Sequence, residues 1–263
     1  MSYGRYTDRV ARLPREAFRP SPIFLGLVVL FVVTGWMTWA GFGNLKINVF
    51  MFVAAGWTIS LCLHEYAHAV VAFKGGDHDI AHRGYLTLDP LKYTHPLLSI
   101  VLPLVFVLLG GIGLPGGAVW VNHAAVRSRF VDSLISFAGP ATNLLLAVVL
   151  VLPFSLGVAE SSHLEFWAAL AFLAFLQLTA SVLNFVPMPG VDGGNLLYPW
   201  LSPQWQRGFN HVAPYGMLLL IALLWSPVIN AWFFGGVQWI GDVLGMPSNY
   251  VSMGYGLFKF WSF

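Results

Sequence analysis

Charge is scarce in this chain. Lys, Arg, Asp and Glu make up only 9% of its 263 residues, where a soluble domain carries about 25%. So few charges exclude a solvated globular surface, and a formal net charge of +2 gives no sign of a nucleic-acid partner. Cysteine is almost absent. The single Cys62 excludes an internal disulfide and any cysteine-rich metal site, and it reads as a small packing residue. Internal repeats, low-complexity tracts and long polar linkers are lacking too, so one domain is expected over residues 1–263. No cleavable signal peptide is evident, because the leading segment is long and polar before Pro22.

What fills the chain instead is apolar. Hydrophobic residues account for 57%, the mean hydropathy is +0.72, and several runs approach the ~20 residues that cross a bilayer. The expected fold class is an all-α polytopic membrane protein. About six membrane segments are expected, with a short β or re-entrant hairpin after the second of them. The lipid bilayer is then an obligatory partner.

One of these runs, from Val49 to Phe73, contains Leu63-His64-Glu65-Tyr66-Ala67-His68. On a helix, His64 and His68 lie one turn apart on one face and both imidazoles can reach one metal. Glu65 points elsewhere on the turn and is free to act as a general base. Three ionisable side chains in a lipid-length helix are costly, which makes function the default reading. The competing reading, two core histidines beside a satisfied glutamate, needs the motif to arise by accident.

In chain order, five arginines before Pro20 place the N-terminus in the cytoplasm by the positive-inside rule. A short amphipathic helix over Tyr6 to Phe18 is a weak expectation. Spans follow over Pro22 to Ala40 and about Ile47 to Phe73. Lys74 to Pro96 is polar, with Tyr85 to Leu88 reading as a strand. His78 and His82, near Asp77 and Asp79, resemble a second metal site but fit a solvated loop better. Leu97 to Val121 is expected to enter and leave on one side, with Ala118 to Val121 as another strand. Such non-helical backbone suits the rim of a cavity.

Ser133 to Val158 is the next span. It carries Ala138-Gly139-Pro140-Ala141-Thr142-Asn143, where Pro140 kinks the helix. A buried Asn143 needs a partner, either a neighbouring helix or a ligand backbone. Leu164 to Val186 returns inward and breaks at Asn184 through Gly194, a stretch whose only acid is Asp192. If the Leu97 hairpin does not cross, His68 and Asp192 come to the same side at similar depth. Asp192 is then either the third ligand of a His, His, carboxylate zinc site or a solvated acid in a turn. Val212 to Leu224 makes a further span interrupted at Pro214. The tail from Val228 is interfacial, re-entrant or a short final span.

With these residues in view, the chain resembles the site-2 protease family of intramembrane zinc metalloproteases. Three segments carry the likeness: His64 to His68, Gly139 to Asn143, and Asn184 to Gly194. Leu86 to Pro103 also looks like the family's segment after the metal helix. The first motif alone is common to many zinc peptidases, and the three in order are specific. The resemblance implies a catalytic core over residues 49–200, flanked by a basic N-terminal segment (1–20) and C-terminal membrane segments (201–263). It implies one Zn2+ per chain held by His64, His68 and Asp192, with Glu65 as general base. It further implies that Asn143 and Asn184 help position an extended substrate segment. The expected substrate is a transmembrane protein, cut in a prokaryotic cell membrane near its cytoplasmic side. Val191 stands where the family often has Leu, a change between two apolar residues. Two other classes compete with this reading: a silent adaptor that binds transmembrane helices, and a metal or proton transporter. An adaptor has no need of all four polar residues, and a transporter path would spread its polar residues through several spans.

Overall fold

A backbone crossing lipid must satisfy its own polar groups, so bilayer-length apolar runs fold as helices. The computed structural model describes residues 15–93, 119–159 and 161–261. Among them the α-helices are α1 (Pro22–Trp39), α2 (Leu45–Gly75), the single turn α3 (Asp79–His82), α4 (Arg129–Ser155), α5 (Leu164–Asn184), α6 (Asp192–Leu197), α7 (Pro203–Val212), α8 (Gly216–Trp225), α9 (Pro227–Leu244) and α10 (Ser248–Phe258). Five stretches are long and apolar enough to span a membrane: α1, α2, α4, α5 and Pro203–Trp225, in which α7 runs into α8. This is an integral membrane protein.

Side chains mark where the long helices begin. Ser21, Asn44 and Ser128 each accept the backbone N–H three residues on, at 3.1, 3.2 and 3.2 Å, and so cap α1, α2 and α4. Helix α2 stops at Gly76, whose φ of 123° is open to glycine and strained for other residues.

The axis of the bundle is α5, buried over 83% of its most apolar window, whereas α1 is buried over only 22% and faces lipid. Helices α1, α2, α4, α9 and α10 pack around it. One end of the core is aromatic, joining Phe52 and Trp57 of α2 to Trp167 and Phe172 of α5 and Phe258 of α10. Towards the other end, Cys62, Ala69 and Ala72 of α2 pack on Ile80, Tyr85, Tyr93 and Ile135. The tail is therefore part of the bundle: Gly254 of α10 lies so close to the Ala168 carbonyl that a Cβ has no room.

Two expectations are corrected. Tyr85 to Leu88 is not a strand but a 3-10 turn over Tyr85–Thr87, bracketed by left-handed Gly84 and Leu88 at φ 75° and 56°. Its β-forming residues have no strand to pair with among the described residues. They bury Tyr85 and Leu86 in the core and close local bonds instead, such as Thr87 Oγ1 to the Gly84 carbonyl at 2.6 Å. Residues 119–121 are likewise non-helical but form no ladder. The remainder of the expected hairpin, most of the segment to Pro103 and Tyr6 to Pro14 of the expected surface helix lie outside the described residues. Only Arg15–Phe18 of that helix is described, as a 3-10 turn.

The segment from residue 119 is tied to the Gly75 end of α2. Buried Asp77 accepts Asn122 N–H at 2.7 Å and Asp79 N–H at 3.2 Å. Arg127 N–H reaches the Gly75 carbonyl at 3.1 Å, and the Arg83 guanidinium lies 4.2 Å over the Trp120 ring. Asp77→Ala leaves two half-buried donors unpaired, and a lower thermal unfolding temperature in detergent is expected, from a loss of about 1 kcal/mol. Asp77→Asn keeps an accepting oxygen and loses less.

Candidate metal centre

The motif helix delivers its two imidazoles as its periodicity requires. His64 and His68 are both buried in α2, with their Nε2 atoms 3.0 Å apart. The third group comes from 124 residues away in the sequence. Asp192 opens α6, and its Oδ2 lies 3.2 Å from His64 Nε2 and 3.4 Å from His68 Nε2. Asp192 is held there by a tightly folded turn. A Cβ on Gly194 would strike the Met188 carbonyl, and one on Gly193 would strike the Val186 carbonyl. Ser133 of α4 donates to the Leu196 carbonyl at 2.7 Å and fixes α6 from the side.

The donor atoms fit zinc. With bonds of ~2.0–2.1 Å, the ligand atoms of a tetrahedral zinc stand about 3.3 Å apart. The three edges here, 3.0, 3.2 and 3.4 Å, outline one face of that tetrahedron and leave the fourth corner to a non-protein ligand. Both imidazoles are set up for it by what their other nitrogens touch. His68 Nδ1 donates to the Ile135 carbonyl at 2.6 Å and His64 Nδ1 to Asn143 Oδ1 at 2.5 Å. Neither oxygen can donate, so each ring carries its proton on Nδ1 and offers the Nε2 lone pair.

Helix α4 has to come very close for this, and Gly139 allows it. A Cβ at this position would lie 2.6 Å from His64 Nε2 and closer still to His68 Nε2. Any side chain there would intrude among the ligating atoms. The Gly-Pro pair thus has two separate jobs: Pro140 interrupts the helix ladder, and Gly139 makes room for the metal.

Glu65 is 1% exposed. The Val119 N–H donates to its carboxylate, while Oε2 is buried without a partner among the described residues. A buried acid with a free oxygen beside two histidines is costly unless it works on something in the site. Asn184, the last residue of α5, is 4% exposed. Asn143 faces the metal ligand with its oxygen, and its Nδ2 donates to Gln177 Oε1 at 2.7 Å.

This arrangement and the chain's relatives agree. The chain is 47% identical to the provisionally named zinc metalloprotease Rip2 of Mycobacterium tuberculosis, over 94% of this chain and 96% of that protein. Rip2 of Mycolicibacterium smegmatis is 46% identical over the same shares. This chain belongs to the site-2 protease family of zinc metalloproteases. A more distant relative, YwhC of Bacillus subtilis, also provisionally named a zinc metalloprotease, is 30% identical over 65% of this chain and 78% of its own length. No family model and no solved structure matches the chain.

As a site-2 protease the chain uses zinc, and His64, His68 and Asp192 are near enough to one another to hold one ion. No second group of three such ligands occurs among the described residues, so His78 and His82 form no second site there. Four contributors were not read from the sequence: the Ile135 carbonyl, the Val119 N–H, Gln177, and Ser60, whose Oγ accepts from Gln177 Nε2 at 2.8 Å. The backbone groups leave no trace in side-chain identity. Gln177 does leave one, as the single amide within the apolar interior of α5.

Proposed function

We propose that this zinc metalloprotease hydrolyses a peptide bond within or near a transmembrane segment of another membrane protein. The depth of the site carries the reading. His64 lies about 16 Å along α2 from its Gly75 end, at ~1.5 Å per residue, well inside a helix of bilayer length. A bond cut there belongs to a segment that is itself in or entering the membrane. The basic residues Lys74, Arg83, Lys92, Arg127 and Arg129 cluster at that end of the bundle, which supports a cytoplasmic placement. We place the protein in a prokaryotic cell membrane with its N-terminus in the cytoplasm.

When bound by His64, His68 and Asp192, zinc supplies a Lewis acid that polarises a carbonyl and makes a water acidic near pH 7. Glu65 takes the proton from the attacking water on Oε2 and returns it to the leaving amine. The Val119 N–H holds the other side of that carboxylate so that Oε2 stays turned into the site. Asn143 keeps His64 in place. Asn184, buried at the C-terminal end of α5, helps to position the substrate backbone in this reading. A helical substrate hides its peptide bonds in its own hydrogen bonds, and the non-helical run 119–122 beside Glu65 offers backbone groups to a locally unwound segment.

The test compares membrane proteomes of cells carrying the wild type and Glu65→Gln. Accumulation of an uncleaved single-span protein in the variant is expected. Identical proteomes would favour the adaptor instead, a protein that holds transmembrane helices without cutting them.

A further inference from the structure

Behind the metal ligands lies a run of buried polar side chains that the reaction does not use. It begins at the Trp57 carbonyl, which accepts from Ser60 Oγ at 2.7 Å. Having given its only proton there, Ser60 meets Gln177 as an acceptor, and Gln177 Nε2 donates to its Oγ at 2.8 Å. That contact turns Gln177 Oε1 the other way, towards Asn143 Nδ2 at 2.7 Å. Asn143 in turn can present only its oxygen to His64 Nδ1, 2.5 Å away. Ser60, Gln177, Asn143 and His64 are 3%, 1%, 3% and 5% exposed, so bulk water cannot substitute for any link.

We propose that Ser60 and Gln177 are positioning residues for the zinc site: they orient Asn143, which keeps the proton of His64 on Nδ1 and its Nε2 lone pair on the metal. The direction of the chain is set at its far end, because a backbone carbonyl cannot donate and a serine hydroxyl has one proton. Each amide then has one orientation that satisfies both neighbours. Without Gln177, either face of the Asn143 amide can turn to His64. With Nδ2 facing the ring, His64 has to accept on Nδ1 and carry its proton on Nε2, where the metal should be. The run also links α2, α5 and α4 in one circuit around the ligand. This explains why a helix as apolar as α5 carries an amide at its buried centre, where an unpaired one is expensive. The inference rests on the zinc reading of His64, His68 and Asp192, and concerns what holds the first of these.

The experiment measures zinc affinity of the purified full-length protein in detergent by competition with a chromogenic chelator. The visible spectrum of the cobalt-substituted form is recorded alongside. Gln177→Leu is expected to bind zinc about tenfold or more weakly, within the ~10–100-fold range for loss of an outer-shell partner, and to shift the cobalt bands. Ser60→Ala moves both readouts in the same direction by less. Gln177→Glu restores them, since a carboxylic acid kept neutral by burial can donate to Ser60 and accept from Asn143. Wild-type affinity and an unchanged cobalt spectrum in Gln177→Leu would overturn the proposal, even if that variant melts at a lower temperature. So would a Gln177→Glu protein as weak as Gln177→Leu. A wild-type protein that binds no zinc, or whose affinity survives His64→Ala, overturns the zinc reading and this inference with it, so the two failures are told apart.

Discussion

Gly139→Ala is expected to remove zinc from a protein that still folds. The added methyl group enters the space between His64 Nε2 and His68 Nε2, which the ion must share. Overpacking by one methyl costs a fold about 1–3 kcal/mol, within what a helical bundle of this size can absorb. The metal has no such tolerance, because its bonds of ~2.0–2.1 Å leave no slack. The expected loss of zinc affinity exceeds ~100-fold, above the range for loss of an outer-shell partner. Metal analysis of the purified variant, beside its helical circular dichroism, reads both halves of the prediction. A variant that keeps one zinc per chain would mean that α4 does not press on the ligands as described. Gly26, by contrast, has open space at its Cβ, so Gly26→Ala serves as the matched control and should keep its zinc.

Glu65→Gln separates binding from chemistry. The glutamine amide is close in shape to the carboxylate, and Glu65 lies apart from the triangle of donor atoms formed by His64, His68 and Asp192. Zinc content should stay at the wild-type level. Cleavage should fall by at least ~10²–10⁴-fold, the usual contribution of a positioned acid–base group, since no other carboxylate among the described residues faces the same donors except the ligand Asp192. Steady-state cleavage of a reconstituted substrate, with metal content measured on the same preparation, checks it. Residual activity within tenfold of wild type would assign the proton transfer to another group. Loss of zinc would show that Glu65 supports the ligands rather than acting beside them.

Part of this site was legible in residue spacing. The four-residue step from His64 to His68 dictates a shared helix face. The parity of the spans brings Asp192 to the same end only if the Leu97 hairpin does not cross, and its role as third ligand came with the family resemblance. Proline and glycine in Asn184 to Gly194 announced a break, and the break is what lets Asp192 turn back towards α2. Other parts were hidden for identifiable reasons. Tyr85 to Leu88 has strand-forming side chains, but strand formation depends on a partner, and this stretch has none among the described residues. The room that Gly139 provides is a property of two helices in contact and cannot be read from one. The tautomer of His64 depends on a chain of orientations that starts at the Trp57 carbonyl, and a backbone oxygen has no letter in the sequence. The tail was ambiguous because its Trp, Phe and Tyr residues suit an interface as well as a core. Phe258 of α10 is buried in the core, whereas Trp232 and Trp239 of α9 stay exposed.

X-ray absorption at the zinc edge of the purified, detergent-solubilised protein tests the central claim most directly. The site described here requires a four-coordinate ion with nitrogen and oxygen neighbours at ~2.0–2.1 Å, two of them imidazoles, and no sulfur at ~2.3 Å. Asp192→Ala should lower the coordination by protein or empty the site. A sulfur shell from Cys62, or a spectrum unchanged by Asp192→Ala, would contradict the convergence of α2 and α6 on one metal.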